Sequence, residues 1–308
     1  MSKAKSLREF GGSARKLFRF ADPLDKMWSA FNPSIAVNPS GQIAMIVRSS
    51  NYLLGNYQSY SSLTTGTDIQ NRVWFAEMDS DLRITDMYEL ECIGELEFRR
   101  GVEDGRLFWR DGSWWMTGVI LEKPHTPIAR MGLFKIDTKH RFAFFEEKYP
   151  GTADNVVEKN WGVVAGEAVE EFDYIYSPNS IFKGGKIKKL KEPGKFKGIR
   201  GGTQLIPWDD GYLAVGHITR VIGKRIFNHM TFSVQEPKLR DYTHVFIKYK
   251  KSGEIERISE EFIFNVGGVE FASGLMQLED KIYITYGHND VEGWMATLDV
   301  ETVREMLR

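Results

Sequence analysis

The chain has 308 residues, of which 42% are hydrophobic, 27% charged and 13% aromatic, with 29 glycines against 10 prolines and a formal net charge of −1. That length buries a sizeable core, aromatic-rich strands with glycine turns favour an all-β class, and the near-neutral balance excludes a global attraction to nucleic acid or membrane. Cys92 is the single cysteine, which excludes an intrachain disulfide and any zinc site with two thiolates and makes a reducing, cytoplasmic compartment the expectation.

The N-terminal MSKAKSLREFGGSARKLFRF has no continuous apolar run and does not read as a secretory signal. Lys3, Lys5, Arg8, Arg15, Lys16 and Arg19 stand there against Glu9 alone, so residues 1–22 are expected to be a basic arm, mobile or loosely docked. No apolar run in the chain approaches the roughly 20 residues of a membrane span. From 23 to 308 short apolar alternations predominate, and one two-strand unit recurs. FNPSIAVNPSGQIAMIVRS turns at Pro-Ser-Gly. The polar, tyrosine-rich stretch 49–71 follows, read either as a lid or acceptor-binding loop or as a surface excursion. EDGRLFWRDGSWWMTGVI turns at Arg-Asp-Gly-Ser, and KNWGVVAGEAVEEFDYIYSPNSIF at a polar Glu-Glu-Phe-Asp connection. The basic strip Lys183–Arg200 comes next, either a solvated hairpin or an electrostatic funnel for an anionic partner, nucleic acid being the less favoured choice. RGGTQLIPWDDGYLAVGHIT and FASGLMQLEDKIYITYGHND complete the series, and ETVREMLR is a short C-terminal helix with Asp299 as its cap.

Such repetition points to a β-propeller, which arranges antiparallel sheets around an axis and protects their edges. A sandwich would fit the strand spacing but not the repeated unit. In a propeller the ends of successive hairpins meet at one mouth. Asn32, Asp104, Lys159, Arg200 and the Tyr286–Asp290 stretch therefore become candidates for one pocket.

There is no Walker loop, HExxH, GxSxG elbow or dinucleotide fingerprint, and the six histidines show no metal spacing; neither metal nor cofactor is expected. In GVEDGRLFWRDG, Glu103 and Asp104 are neighbours, so in an extended strand only one of them faces a shared pocket. Arg106 lies two residues on and shares the face of Asp104, either as part of the site or as a structural partner. An Asp beside an Arg is ionised by default. YGHNDVEGW offers Tyr286, Asn289 and Asp290 for sugar hydroxyls, or is an ordinary polar turn. Arg48, Lys159, Arg200 and His217 are candidate phosphate ligands.

The ordered series FNPSIA, IVRSS, GVEDGRLFWRDG, EKNWG, RGGTQLIPWDDGYLAVGH and YGHNDVEGWMATL resembles the five-bladed propellers of the β-mannoside phosphorylases, glycoside hydrolase family 130, with their related mannosyltransferases. The likeness is greatest to a branch with an Arg-Gly-Gly-(Ser/Thr)-Gln-Leu segment. It implies an inverting mechanism with one Asp as proton donor. The family's Glu-Asp-Pro-Arg motif falls on Glu103, Asp104 and Arg106, with Gly105 in place of the proline. Its sugar-contacting Asn-Pro-Ser falls on Asn32 and Ser34, its phosphate ligands on Arg48, Lys159 and His217, and its late sugar-binding Asp on Asp290. The expectation is an all-β, five-bladed propeller with a short C-terminal helix. It would be a glycosyltransferase-type enzyme moving a mannose-like sugar between a sugar phosphate or nucleotide sugar and a carbohydrate or other hydroxyl acceptor. An inverting glycoside phosphorylase and a non-catalytic carbohydrate-binding propeller are the alternatives.

Overall fold

The structure, a computed structural model, describes residues 4–19, 28–54, 60–62, 69–94, 100–121, 129–148, 158–166, 171, 173–191, 198–222, 226–228, 233–235, 239–265 and 267–308. Strands make up most of these, with one short α-helix. Strand β1 (Ser13–Arg19) is N-terminal. A first antiparallel meander follows: β2 (Ser29–Val37), β3 (Ile43–Ser50), β4 (Asn71–Met78) and β5 (Ile84–Ile93). The second is β6 (Glu103–Arg110), β7 (Ser113–Leu121), β8 (Ala129–Asp137) and β9 (Phe142–Lys148), and a parallel pairing of β9 with β5 joins these two into one sheet. In the third, Gly162 bridges to β10 (Tyr174–Ser177), which continues into β11 (Ser180–Lys183) and β12 (Lys186–Lys189). The fourth is β13 (Ile206–Trp208), β14 (Gly211–Ile222), β15 (Leu239–Lys250) and β16 (Ile255–Ile258). The fifth is β17 (Glu270–Leu278), β18 (Lys281–His288) and β19 (Glu292–Asp299), and the helix α1 (Val300–Met306) ends the chain.

The meanders close into a ring. Among the described residues the buried apolar side chains form clusters that each straddle two successive meanders. Ile46 and Phe75 meet Leu107 and Phe134; Phe108 and Met131 meet Trp161 and Phe182; Ile175 meets Leu205 and Ile247; Phe246 and Phe262 meet Ile284 and Tyr286. The last cluster joins the ends of the series, with Met45 and Trp74 of the first meander against Met276 and Met295 of the fifth. The innermost segments are also stitched to one another. Ser273 donates to the Pro33 carbonyl at 2.7 Å, Leu107 N–H to Ser34 Oγ at 3.0 Å, Gly166 N–H to the Trp109 carbonyl at 2.8 Å and Leu205 N–H to the Val163 carbonyl at 2.8 Å. Gln204 closes the circuit, donating through Nε2 to the Leu275 and Ile35 carbonyls at 2.9 and 2.8 Å. Inner strands are buried on both faces, β2 and β3 above all, because each lies between two neighbouring sheets. This is the radial β plan expected from the recurring hairpins.

The basic N-terminus departs from its expectation. Residues 13–19 are the outer strand of the fifth meander, with Ala14 opposite Ala296 and Arg15 opposite Met295. Lys5–Ser6 pairs with Phe262–Ile263, and Leu7 is fully buried. Of the strip Lys183–Arg200, Lys183 ends β11, Lys186, Lys188 and Lys189 are exposed on the edge strand β12, Arg200 pairs with His217 of β14, and residues 192–197 lie outside the described set. Lysines on an unpaired edge are a common guard against edge-to-edge association. Among the described residues no helix is long and apolar enough to cross a membrane.

Candidate active site

Asn32, Asp104 and Asn160 stand at the start of the inner segments of the first three meanders, and all three are left-handed, with φ of 49°, 48° and 65°. Asn and Asp tolerate this conformation better than other side-chain-bearing residues. It turns the chain into the mouth of the ring. Asp104 Oδ1 accepts from Asn32 Nδ2 at 2.8 Å and from Arg48 Nη1 at 2.8 Å. Arg48 comes from β3, donates through Nε to Asn71 Oδ1 at 2.8 Å, and lies over the rings of Phe31 and Tyr52. Glu103 bridges two cations, with Oε1 3.7 Å from Arg48 and Oε2 3.0 Å from Lys159 Nζ. On the far side of Arg48, Asp290 Oδ2 accepts from the Tyr52 hydroxyl at 2.9 Å.

Asp104 and Asp290 are pushed in opposite directions. Burial alone would raise Asp104, but Arg48, Lys159, Arg106 and the Asn32 hydrogen bond outweigh it and hold its carboxyl well below the usual range. Asp290 goes the other way. Burial pushes it up, Arg48 pulls against that, and the nearby Asp104 charge adds to the push. Arg48 stays charged: burial opposes it, and Tyr52, Glu103, Asp104 and Asp290 prevail.

Asn32, Arg48, Glu103, Asp104, Lys159 and Asp290 are therefore gathered at one mouth. Glu103 and Asp104 both reach it although they are neighbours, because the left-handed Asp104 breaks the strand's two-residue alternation. For the same reason Arg106 does not accompany Asp104 toward solvent. It is fully buried beneath it, with Nε on the Gly202 carbonyl at 2.8 Å and Nη2 on Asn160 Oδ1 at 3.0 Å. Ser34 is fully buried and accepts the Leu107 N–H, which ties two inner strands. Tyr286 is a core side chain, 1% exposed, its ring stacked on Phe264 at 4.2 Å. His217 is buried against Tyr242 and Phe271. Burial first, then Arg200 and Arg106, push its pKa down to about 3, so at neutral pH it brings no charge for phosphate. Arg200 stands with Lys159, Asn160, Tyr176 and Ser177 around a cavity of about 410 Å³ next to the mouth. Asn289 is half-buried in the turn before Asp290, its Nδ2 3.2 Å from His288 Nε2. Gly105 is packed rather than loose, since a Cβ there would lie 2.5 Å from Ile46 Cδ1.

Sequence reasoning passed over Asn71 and Tyr52. Tyr52 opens the stretch 49–71 and pairs, through Tyr52–Leu54, with Tyr60–Ser62; residues 55–59 and 63–68 lie outside the described set. The signal for both was adjacency to strand ends at the mouth. Gly287 is a further requirement. A Cβ on it would come within 1.9 Å of Asn32 Oδ1, so only glycine lets Asn32 sit where it reaches Asp104. Among the described residues no three His, Cys, Asp or Glu side chains are grouped as a metal site.

No protein-family model matches the sequence, and no curated protein does. Solved structures do match in fold. A β-1,2-mannobiose phosphorylase from Listeria innocua superposes with a TM-score of 0.63 at 12% identity, over 94% of this chain and 96% of that one. A GDP-Man-dependent mannosyltransferase from Leishmania mexicana gives 0.55 at 14% identity, over 93% and 90%. A mannose phosphorylase from the same organism, solved with a phosphate ion, gives 0.53 at 10% identity, over 96% and 90%. At these identities the likeness is one of fold, spanning nearly the whole of each chain.

Proposed function

We propose that the chain moves a mannose-like glycosyl group, with inversion, between a phosphate-bearing donor and a hydroxyl acceptor, with Asp104 as the acid–base group. On this reading the five-bladed propeller expected for residues 23–308 begins earlier, with the strand 13–19, which completes its last blade. The observation that carries the proposal is the Asp104 carboxylate itself, fixed at the mouth by Asn32 and Arg48 and kept charged. An ionised carboxylate, though a weak base, can take the proton of an acceptor hydroxyl as that oxygen attacks the anomeric carbon and becomes strongly acidic. The phosphate group leaves with the electron pair of the breaking C–O bond and requires no acid. An ordinary inverting hydrolase needs two carboxylates to activate water and protonate the leaving oxygen; a phosphorylated donor removes the second requirement. Lys159 and Arg200 edge one cavity and would hold the donor's phosphate. Asp290 and Asn289 are left for sugar hydroxyls. Phosphorylase and mannosyltransferase names among the structural neighbours support this choice of chemistry.

A second reading, phosphorolysis, has the same site run in reverse. Inorganic phosphate in the Lys159–Arg200 cavity would attack, and Asp104, first protonated, would return its proton to the glycosidic oxygen. The test is turnover by the parent and by Asp104→Asn, assayed with mannose 1-phosphate or GDP-mannose plus a mannoside acceptor, and separately with mannobiose plus phosphate. Turnover in the first assay, reduced about 10²–10⁴-fold in a variant that remains folded, is expected. Sugar 1-phosphate release in the second assay alone selects phosphorolysis. A variant as active as the parent sinks the role of Asp104.

A further inference from the structure

Arg106 is a cation with no exposed surface, and its donors are spread over the ring. Nε donates to the Gly202 carbonyl at the inner edge of the fourth meander, at 2.8 Å. Nη2 donates to Asn160 Oδ1 in the third, at 3.0 Å. Nη1 donates to the backbone carbonyl of Asp104 in the second. The guanidinium plane lies 5.1 Å from the ring of Phe271 in the fifth. Asp104, whose backbone Arg106 holds, in turn accepts from Asn32 in the first through its carboxylate. A planar fork with donors in several directions is what such a junction requires, and an ammonium does not provide it.

We propose that Arg106 is the positioning residue of this site, fixing the backbone of Asp104 and the side chain of Asn160 from beneath without touching substrate. The inference rests on the reading of Asp104 given above and replaces the expectation that Arg106 shares the face of Asp104 and belongs to the substrate site. Its charge matters as well as its shape. Burial pushes the guanidinium down to about 10, with Asp104 opposing, so it remains a cation at neutral pH. It adds to the cations facing the Asp104 carboxylate, Arg48 from β3 and Lys159 from the third meander, against the anions Glu103 and Asp290. Left-handed backbone is unfavourable for a residue with a side chain. A hydrogen bond to the Asp104 carbonyl is a direct means of keeping it there.

Arg106→Gln and Arg106→Lys separate shape from charge. Three readouts serve: kcat and KM over pH, the thermal midpoint, and the titration of Asp104 followed by carboxyl ¹³C NMR and assigned with Asp104→Asn. In Arg106→Gln the Asp104 midpoint is expected to move up and kcat to fall by about 10²-fold, the scale of a misplacement near 1 Å, while KM stays within about twofold of the parent. Arg106→Lys is expected to hold the Asp104 midpoint and still lose kcat. An Asp104 midpoint unmoved in Arg106→Gln, with only the thermal midpoint lowered, reduces Arg106 to scaffolding and overturns the proposal. So does a KM that rises while kcat is kept, which makes it a substrate ligand. Should Arg106→Gln fail to fold, Arg106→Lys decides alone, since parental kcat in it is fatal. The NMR titration needs no substrate, so a failed role for Asp104 in turnover leaves the effect of Arg106 on that carboxyl still measurable.

Discussion

Asp104 and Asp290 share the field of one guanidinium yet are driven in opposite directions, because Asp104 accepts hydrogen bonds from Arg48 and Asn32 while Asp290, among the described residues, accepts from the Tyr52 hydroxyl. Environments that split like groups are how a fold assigns proton traffic. The same physics acts on His217 and His244, which face each other across β14 and β15 and are both buried. Burial first, then neighbouring cations for His217 and His217 itself for His244, push both down to about 3 from an ordinary 6.5. A histidine depressed in the folded state binds fewer protons there than in the unfolded chain between those values. Stability is thus intact above 6.5 and is lost progressively as pH falls toward 3. The urea midpoint is expected to drop between neutral pH and mildly acid pH, and the drop to be smaller in the His217→Gln, His244→Gln double variant. Equal acid sensitivity in parent and variant would remove these histidines from the account.

The N-terminal segment shows how far an element can be read from its residues. Its charges suggested an arm, yet Arg15, Lys16 and Arg19 lie on a strand that the rest of the molecule needs. Lys16 sits over the Trp294 ring and pairs with Glu292 at 2.7 Å, so its charge is matched at the sheet rather than free. The apolar side chains between the cations carried the better signal, since Leu17 and Phe18 pack on the cluster between the first and fifth meanders. A Ser-x-x-Glu signature was also present. Ser6 and Glu9 form a reciprocal cap on the 3-10 turn Leu7–Phe10, and that turn drives Leu7 into the cluster between the fourth and fifth meanders. Leu7→Ala is expected to cost about 2–5 kcal/mol, the usual range for truncating a fully buried leucine. A change under about 0.5 kcal/mol, typical of exposed positions, would mean that the segment is only loosely attached. Calorimetric or denaturant unfolding of the variant reads this directly.

At the scale of the whole molecule, the recurring hairpins and their turns were legible because alternation and turn chemistry are local. So was the gathering of Asn32, Asp104 and Lys159, because equivalent strand starts converge in any ring. What local pattern does not encode is depth along the axis. One left-handed residue, Asp104, sends Glu103 up and Arg106 down, and the strict two-residue period gives the opposite assignment for both. Ser34, His217 and Tyr286 were placed at the mouth for the same reason, since polarity at a strand end does not distinguish a wet face from an interblade joint. Gln204 is the clearest joint of this kind. Fully buried, it satisfies the carbonyls of Ile35 and Leu275 and accepts the Leu275 N–H, so one amide ties the fourth meander to the first and fifth. Gln204→Leu keeps similar bulk and orphans these backbone groups, at roughly 1–3 kcal/mol for each left unpaired. Every core cluster is shared between neighbours, so opening this joint exposes apolar surface on both sides at once. The variant is therefore expected to unfold at a lower temperature but still in one calorimetric transition. If it instead melts in two steps, the meanders are separable units, and the ring owes its integrity to something other than these shared clusters.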